Sequence, residues 1–152
     1  SIVDSRYDIL AYEGIGYVKQ NDAELAAALG REFHAEEELY AAGHELRARL
    51  SADGVLITRG ADGMTLFLAD GSATHIPVSD HSEIFDVSGA GDTCVAVMIL
   101  GLAAGVDART AARLSNIASG IAVRKRGTAT VAQEELRAAV LAAGGDGYAD
   151  SK

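Results

Sequence analysis

Two rhythms run along the chain: short, continuous apolar runs, and longer stretches in which apolar residues recur at helical spacing. Ile2-Val3, ahead of Asp4-Ser5-Arg6, reads as the end of a buried strand, and residues 15–19 read as a second short strand. Asn21-Asp22-Ala23-Glu24 opens a helix through Leu25 to Leu29, which Gly30 can end from the position just past its last turn. Residues 35–50 carry Leu39, Leu46 and Leu50 among Glu and Arg, the pattern of an amphipathic outer helix. Val55-Leu56-Ile57-Thr58, bounded by Asp53-Gly54 and Gly60, is the unbroken run expected of a fully buried strand. The runs 64–68 and 74–78 flank Asp70-Gly71, the strongest hairpin signal in the chain.

The second half reads as helical. Residues 90–104 are apolar nearly all round (Val95, Val97, Met98, Ile99, Leu100, Leu102), which predicts a buried helix closed by Gly105. Residues 107–125 predict another helix with Asp107 as its N-cap, and 132–143 a third before a glycine-rich tail. Strands alternating with helices imply an α/β layered fold, with a mainly parallel sheet and one hairpin.

Composition narrows the function classes. At 152 residues and 49% hydrophobic content the chain has the size of one domain with a sizeable core. The net charge is −9 and only three residues are Lys, so there is no basic stripe for a nucleic-acid backbone. A small anion remains open as a ligand, because a few backbone N–H groups can hold one. No apolar run approaches the ~20 residues of a membrane span, which predicts no membrane partner. Cys94 is the single cysteine, so no disulfide forms within the chain and a reducing cytoplasm is the expected location. The four His residues show no metal-ligand spacing. Ser1 to Arg6 has neither the basic nor the apolar region of a signal peptide and reads instead as the inside of a strand.

Asp86-Val87-Ser88-Gly89-Ala90-Gly91-Asp92-Thr93 is the stretch richest in chemistry. Gly89 and Gly91 allow a ligand to approach the backbone closely. The first N–H groups of a helix lack internal acceptors and carry the positive end of its dipole. Asp92, in the first turn, can face whatever anion that loop holds. Donors for a transferring group beside a base for a hydroxyl proton are what phosphoryl transfer requires. The competing reading is structural: Ser88 caps the helix, the glycines make a tight turn and Asp92 complements the dipole. A dinucleotide fingerprint is weaker, since Cys94 occupies its third glycine position. No Gly-Lys-Ser/Thr phosphate loop occurs.

The same stretch resembles the C-terminal signature, roughly D-T-x-G-A-G-D, of the ribokinase-like (phosphofructokinase B type) sugar kinases. Carried over, the resemblance implies Asp92 as catalytic base, with Gly89, Ala90 and Gly91 supplying the anion hole. Val87 stands where many members have Thr and is similar to the heptose-phosphate kinase branch. Asn21-Asp22-Ala23-Glu24 resembles the family's N-x-x-E motif, with Asn21 near the nucleotide phosphates and Glu24 placing Mg²⁺ through water; the same four residues also spell a capping box. Thr58-Arg59-Gly60-Ala61-Asp62-Gly63 resembles the T-x-G-x-x-G loop, which implies Thr58, Gly60 and Gly63 beside the ATP phosphates and ribose; a plain turn between strands is the alternative. Asn116 matches an Asn that borders the adenine in relatives, against the alternative of a solvent-facing side chain. Asp86 and Ser88 match positions that help coordinate a monovalent cation in some relatives, which adds K⁺ to the implied ATP and Mg²⁺. Cys94 reads as packing, and Glu36-Glu37-Glu38 as a solvated face.

These motifs occur in the family's order, and the resemblance covers essentially the whole chain, from Ile2 to about Leu141. The resemblance implies a ribokinase-like three-layer α/β fold of which residues 1–152 form the C-terminal, ATP-binding part. The expected N-terminal half, with its glycine-rich signature and most sugar-binding side chains, has no counterpart ahead of Asp4 and would come from further chain or from a partner. The implied activity is γ-phosphoryl transfer from ATP to a sugar hydroxyl, with D-glycero-D-manno-heptose 7-phosphate as first choice and ribose, fructose phosphate or a nucleoside as others. By itself the 152-residue chain is expected to be inactive, and a homodimer is compatible with the pattern. The competing class is a non-catalytic adenine-nucleotide-binding module.

Overall fold

The structure, a computed structural model, describes residues 1–78, 89–125 and 130–144. The chain divides into two compact units, Ser1–Pro77 and Val78–Lys152.

The first unit holds a five-stranded sheet whose spatial order follows the sequence: β1 (Ile2–Asp4), β2 (Tyr17–Asn21), β3 (Gly54–Thr58), β4 (Met64–Leu68) and β5 (Ala73–Ile76). β1, β2 and β3 are parallel, while β4 and β5 add antiparallel pairings at the far side. Parallel neighbours need a crossover, and the one between β2 and β3 contains α1 (Asp22–Leu29) and α2 (Glu36–Leu50). Leu25, Leu39, Leu46 and Leu50 from these helices meet Val18, Val55, Ile57 and Phe67 from the sheet in one core. Each such side chain, fully buried, contributes about 1.5–3 kcal/mol. β3 is buried from Gly54 through Ile57, as its unbroken apolar run predicts. Gly43 of α2 makes the helix–sheet approach possible, because a Cβ there would lie 2.4 Å from the Phe67 ring. The Asp70-Gly71 hairpin forms between Met64–Leu68 and Ala73–Ile76, one residue earlier on its second strand than the pattern suggests. Its ladder closes at Leu68 N–H to Ser72 O, 2.9 Å, leaving a three-residue loop in which Gly71 takes φ 82°.

Polar residues break the apolar pattern at the carboxyl end of β2. Lys19 and Gln20 are both buried. Lys19 Nζ donates to Asp4 Oδ2 at 3.0 Å, across a register in which the two residues pair directly. Gln20 Nε2 donates to Ser5 O at 2.8 Å and to Lys19 O at 2.9 Å. β1 is thus fastened to β2 by side chains where its backbone ladder ends.

The second unit contains α3 (Ala90–Ala103), α4 (Ala108–Val123) and α5 (Gln133–Gly144). Asp107 caps α4 as expected, its carboxylate accepting from Arg109 N at 3.0 Å and Thr110 N at 3.1 Å. α3 and α4 pack closely enough that a Cβ on Gly101 would stand 3.1 Å from that of Ala111. α3 departs from the expectation of an all-round buried helix. Only Cys94, Met98 and Gly101 are buried, and Leu100 is 67% exposed. Those three residues, spaced four and three apart, form one stripe of the helix, while burial on α4 runs over Ala111, Ala112, Ser115, Asn116, Ile117, Ala118, Ile121 and Ala122. Helix-to-helix packing covers a stripe and not a circumference. Among the described residues, no helix is long and apolar enough to cross a membrane.

Candidate functional site

In the first unit, the carboxyl ends of the parallel strands gather five of the nominated residues, Asn21, Glu24, Thr58, Gly60 and Gly63. Asn21 ends β2 and caps α1 in the same step: its Oδ1 accepts from Glu24 N at 2.7 Å, and Glu24 Oε2 accepts from Asn21 N at 2.8 Å. The capping box is therefore present. It engages only one oxygen of the Glu24 carboxylate. The other, Oε1, lies 3.8 Å from Arg6 Nε, so the cap leaves an anionic oxygen for a second role. A carboxylate oxygen of this kind suits a hydrated divalent cation, while the positive helix end beside it suits the anionic ligand that such a cation accompanies.

Thr58 ends β3 in direct register with Asn21, and its hydroxyl donates to Gln20 O at 3.5 Å. Gly60, with φ 54°, begins a single 3₁₀ turn that Gly63 closes with φ 78°. Arg59 N–H donates to Gly63 O at 2.8 Å, so this segment is the connection between antiparallel β3 and β4. The turn reading holds, and it sets Thr58, Gly60 and Gly63 beside the end of β2. Arg59 is directed to α2, with Nη1 3.1 Å from Glu36 Oε1. Asn21, Glu24, Thr58 and the glycine turn thus share the carboxyl edge of parallel strands, where ligands of such sheets bind.

In the second unit, Gly89 takes φ 80°, ψ −2° as the residue before α3, a left-handed conformation that a side chain disfavours. Gly89 offers no side-chain cap; Thr93 N–H to Gly89 O, 2.9 Å, is the first bond of the helix. The N–H groups of Ala90, Gly91 and Asp92 precede that bond and have no acceptor within the helix. Asp92 is exposed in this first turn. The α3 start is tied to α4 by Ser119 Oγ, which donates to Ala90 O at 3.2 Å. Asn116 lies one turn before Ser119 on the same face. It is 8% exposed, so the solvent-facing alternative for it is overturned. Cys94 is buried, as a packing residue would be. Asp86 and Ser88, the candidate monovalent-cation positions, lie outside the described residues. Among the described residues, no cluster of three His, Cys, Asp or Glu side chains could hold a metal.

Sequence reading did not single out Arg6 or Gln20. The available signal was the interruption of a short buried strand by consecutive polar residues next to Asn21.

The pfkB family carbohydrate kinase model matches residues 4–135. The bifunctional protein HldE of Rhodospirillum rubrum is 44% identical over 140 residues, covering 91% of this chain and 28% of that protein. The bifunctional protein HldE of Pelobacter propionicus is 43% identical over 145 residues, covering 95% and 29%. Among solved structures, Escherichia coli phosphofructokinase-2 in complex with substrates and products superposes with a TM-score of 0.83 at 24% identity, over 93% of this chain and 46% of that one. Arabidopsis thaliana ribokinase complexed with ribose and ATP gives 0.81 at 18%, over 91% and 46%. The chain therefore spans just over a quarter of those curated relatives and just under half of those kinases. The mixed α/β arrangement, a five-stranded sheet with flanking helices, is the ribokinase-like fold. By the extent of the family match and its relatives in sequence and structure, this chain belongs to the pfkB family of carbohydrate kinases.

Proposed function

We propose that residues 1–152 are the C-terminal, nucleotide-handling part of a kinase that transfers the γ-phosphoryl group of ATP to a sugar hydroxyl. The observation that carries this reading is the start of α3: a glycine-led helix N-terminus with Asp92 exposed in its first turn. Asp92 takes the proton of the acceptor hydroxyl as the new oxygen–phosphorus bond forms and the bond to the β-phosphate oxygen breaks, releasing ADP. The N–H groups at Gly89, Ala90 and Gly91 stabilise charge on the phosphoryl group in flight. Asn21 and Glu24 serve the Mg²⁺–polyphosphate, with Glu24 Oε1 meeting a metal-bound water. Thr58, Gly60 and Gly63 follow the phosphates and ribose, and the buried Asn116 borders the adenine. Bound Mg²⁺ would supply charge neutralisation on the phosphate oxygens. Asp86 and Ser88 are assigned to a monovalent cation such as K⁺.

The relatives at 43–44% identity, named bifunctional protein HldE, support a heptose-phosphate acceptor, D-glycero-D-manno-heptose 7-phosphate. A cytoplasmic kinase, completed by an N-terminal half and capable of forming a homodimer, fits this reading. In the full-length protein, Asp92→Asn should lower kcat by roughly two to four orders of magnitude, the scale of general-base removal. ATP affinity measured by calorimetry should stay near wild type. A near-normal kcat in Asp92→Asn overturns the assignment.

A further inference from the structure

Arg6 stands where β1 hands over to its crossover, and the backbone on both sides of it is held. Gln20 Nε2, itself buried, donates to Ser5 O at 2.8 Å, and the Ser5 hydroxyl donates to Tyr7 O. The guanidinium faces Glu24 through Nε, 3.8 Å from Oε1. That approach uses the end of the group with one N–H; the two Nη atoms carry the other four donors. The other cations at this edge are engaged elsewhere in the protein, Lys19 with Asp4 and Arg59 with Glu36. The Arg6 side chain is 81% exposed, so its pairing with Glu24 is weak and readily exchanged.

We propose that Arg6 is a nucleotide-binding residue that recognises the polyphosphate chain and so favours nucleoside triphosphates over monophosphates. The inference rests on the reading of Glu24 as the residue serving Mg²⁺. When a metal–nucleotide complex arrives, its cation takes over the attraction of Glu24 and its phosphate oxygens accept from Arg6. One loose ion pair is exchanged for two contacts made by the same side chains. Charge-assisted hydrogen bonds from a guanidinium fork to phosphate are the strong kind. In a chain of net charge −9, a local cation is needed to offset repulsion of the incoming phosphates. Anchoring by Gln20 limits the ordering cost of that contact.

The test is calorimetric titration of the purified protein with Mg·ATP, and with AMP by competition, for wild type, Arg6→Gln and Arg6→Lys. Arg6→Gln should weaken Mg·ATP about tenfold, as loss of a charge-assisted hydrogen bond implies, and AMP by less than about twofold. Arg6→Lys, which keeps the charge but loses the fork, should fall between wild type and Arg6→Gln for Mg·ATP and stay within about twofold of wild type for AMP. Unchanged Mg·ATP affinity in Arg6→Gln, or equal losses for ATP and AMP, overturns the role of Arg6 and leaves the proposed function standing. A wild-type protein that binds no adenine nucleotide overturns both.

Discussion

A missing methyl group decides how α2 meets the sheet. Phe67 is fully buried, with Tyr40 and His44 edge-on to its ring at centroid distances of 5.6 Å and 5.0 Å. The ring therefore has nowhere to retreat, and Gly43 occupies the position above it. Gly43→Ala brings a Cβ to 2.4 Å from ring carbons Cε2 and Cζ. The substitution gains about 1 kcal/mol of helix propensity and incurs overpacking of about 1–3 kcal/mol. The net expectation is a loss of up to about 2 kcal/mol in urea denaturation, towards the upper end because the clash is with an immobilised ring. Gly43→Ala combined with Phe67→Leu should be less destabilised than the two single changes added together, the signature of a direct contact. Additive losses would mean that the helix backbone yields instead. Arg6 belongs to the same scale and shows why part of the site was hidden in the sequence. The capping box between Asn21 and Glu24 is visible because three residues of spacing suffice to define it. The contact from Arg6 to Glu24 spans 18 positions and arises only when β1 and β2 lie side by side.

Elements were legible wherever their ends are locally determined. The α1 span from the Asn21 cap to Gly30, and the α4 start at Asp107, follow from side-chain and glycine chemistry within a few residues. The buried stripe of α3 was not, since a helix apolar all round does not announce which side will meet α4. Asp107 offers a measurable consequence of the local kind. A hydrogen bond from the Thr110 side chain, then backbone N–H groups of Thr110 and Arg109, hold its carboxyl below the usual aspartate range. A depressed folded-state pKa means stabilisation that is complete above the unfolded value, near 3.9, and lost as pH falls through the lower folded value. Asp107→Ala should therefore cost about 1 kcal/mol at pH 7, the usual loss of a helix cap. The gap from wild type should narrow below about pH 4, where the unfolded state gains its proton first. Asp107→Asn keeps an acceptor for the same N–H groups and should stay close to wild type at neutral pH. A wild-type to Ala difference that does not change with acid would show that charge plays no part in the cap.

At the scale of the molecule, the residues assigned to chemistry divide by substrate. Asn21, Glu24, Thr58, Gly60, Gly63, Asn116 and Arg6 are all proposed to act on the nucleotide. Gly89, Ala90, Gly91 and Asp92 are proposed to act on the phosphoryl group and the attacking hydroxyl. None is assigned to the rest of the acceptor. Phosphoryl transfer depends on holding the two reactants in line, and positioning of this kind accounts for about 7–11 kcal/mol of barrier reduction. Losing it slows turnover by roughly five to eight powers of ten. The 152 residues also cover just under half of kinases that share their fold. A protein consisting of these residues alone should accordingly bind Mg·ATP, with Arg6 contributing, and transfer no measurable phosphate to heptose 7-phosphate or ribose. An assay that couples ADP release to NADH oxidation, run beside the full-length protein, reads this directly. Sugar-dependent turnover by the 152 residues at a rate near that of the full-length protein would place an acceptor site within them and overturn the division by substrate.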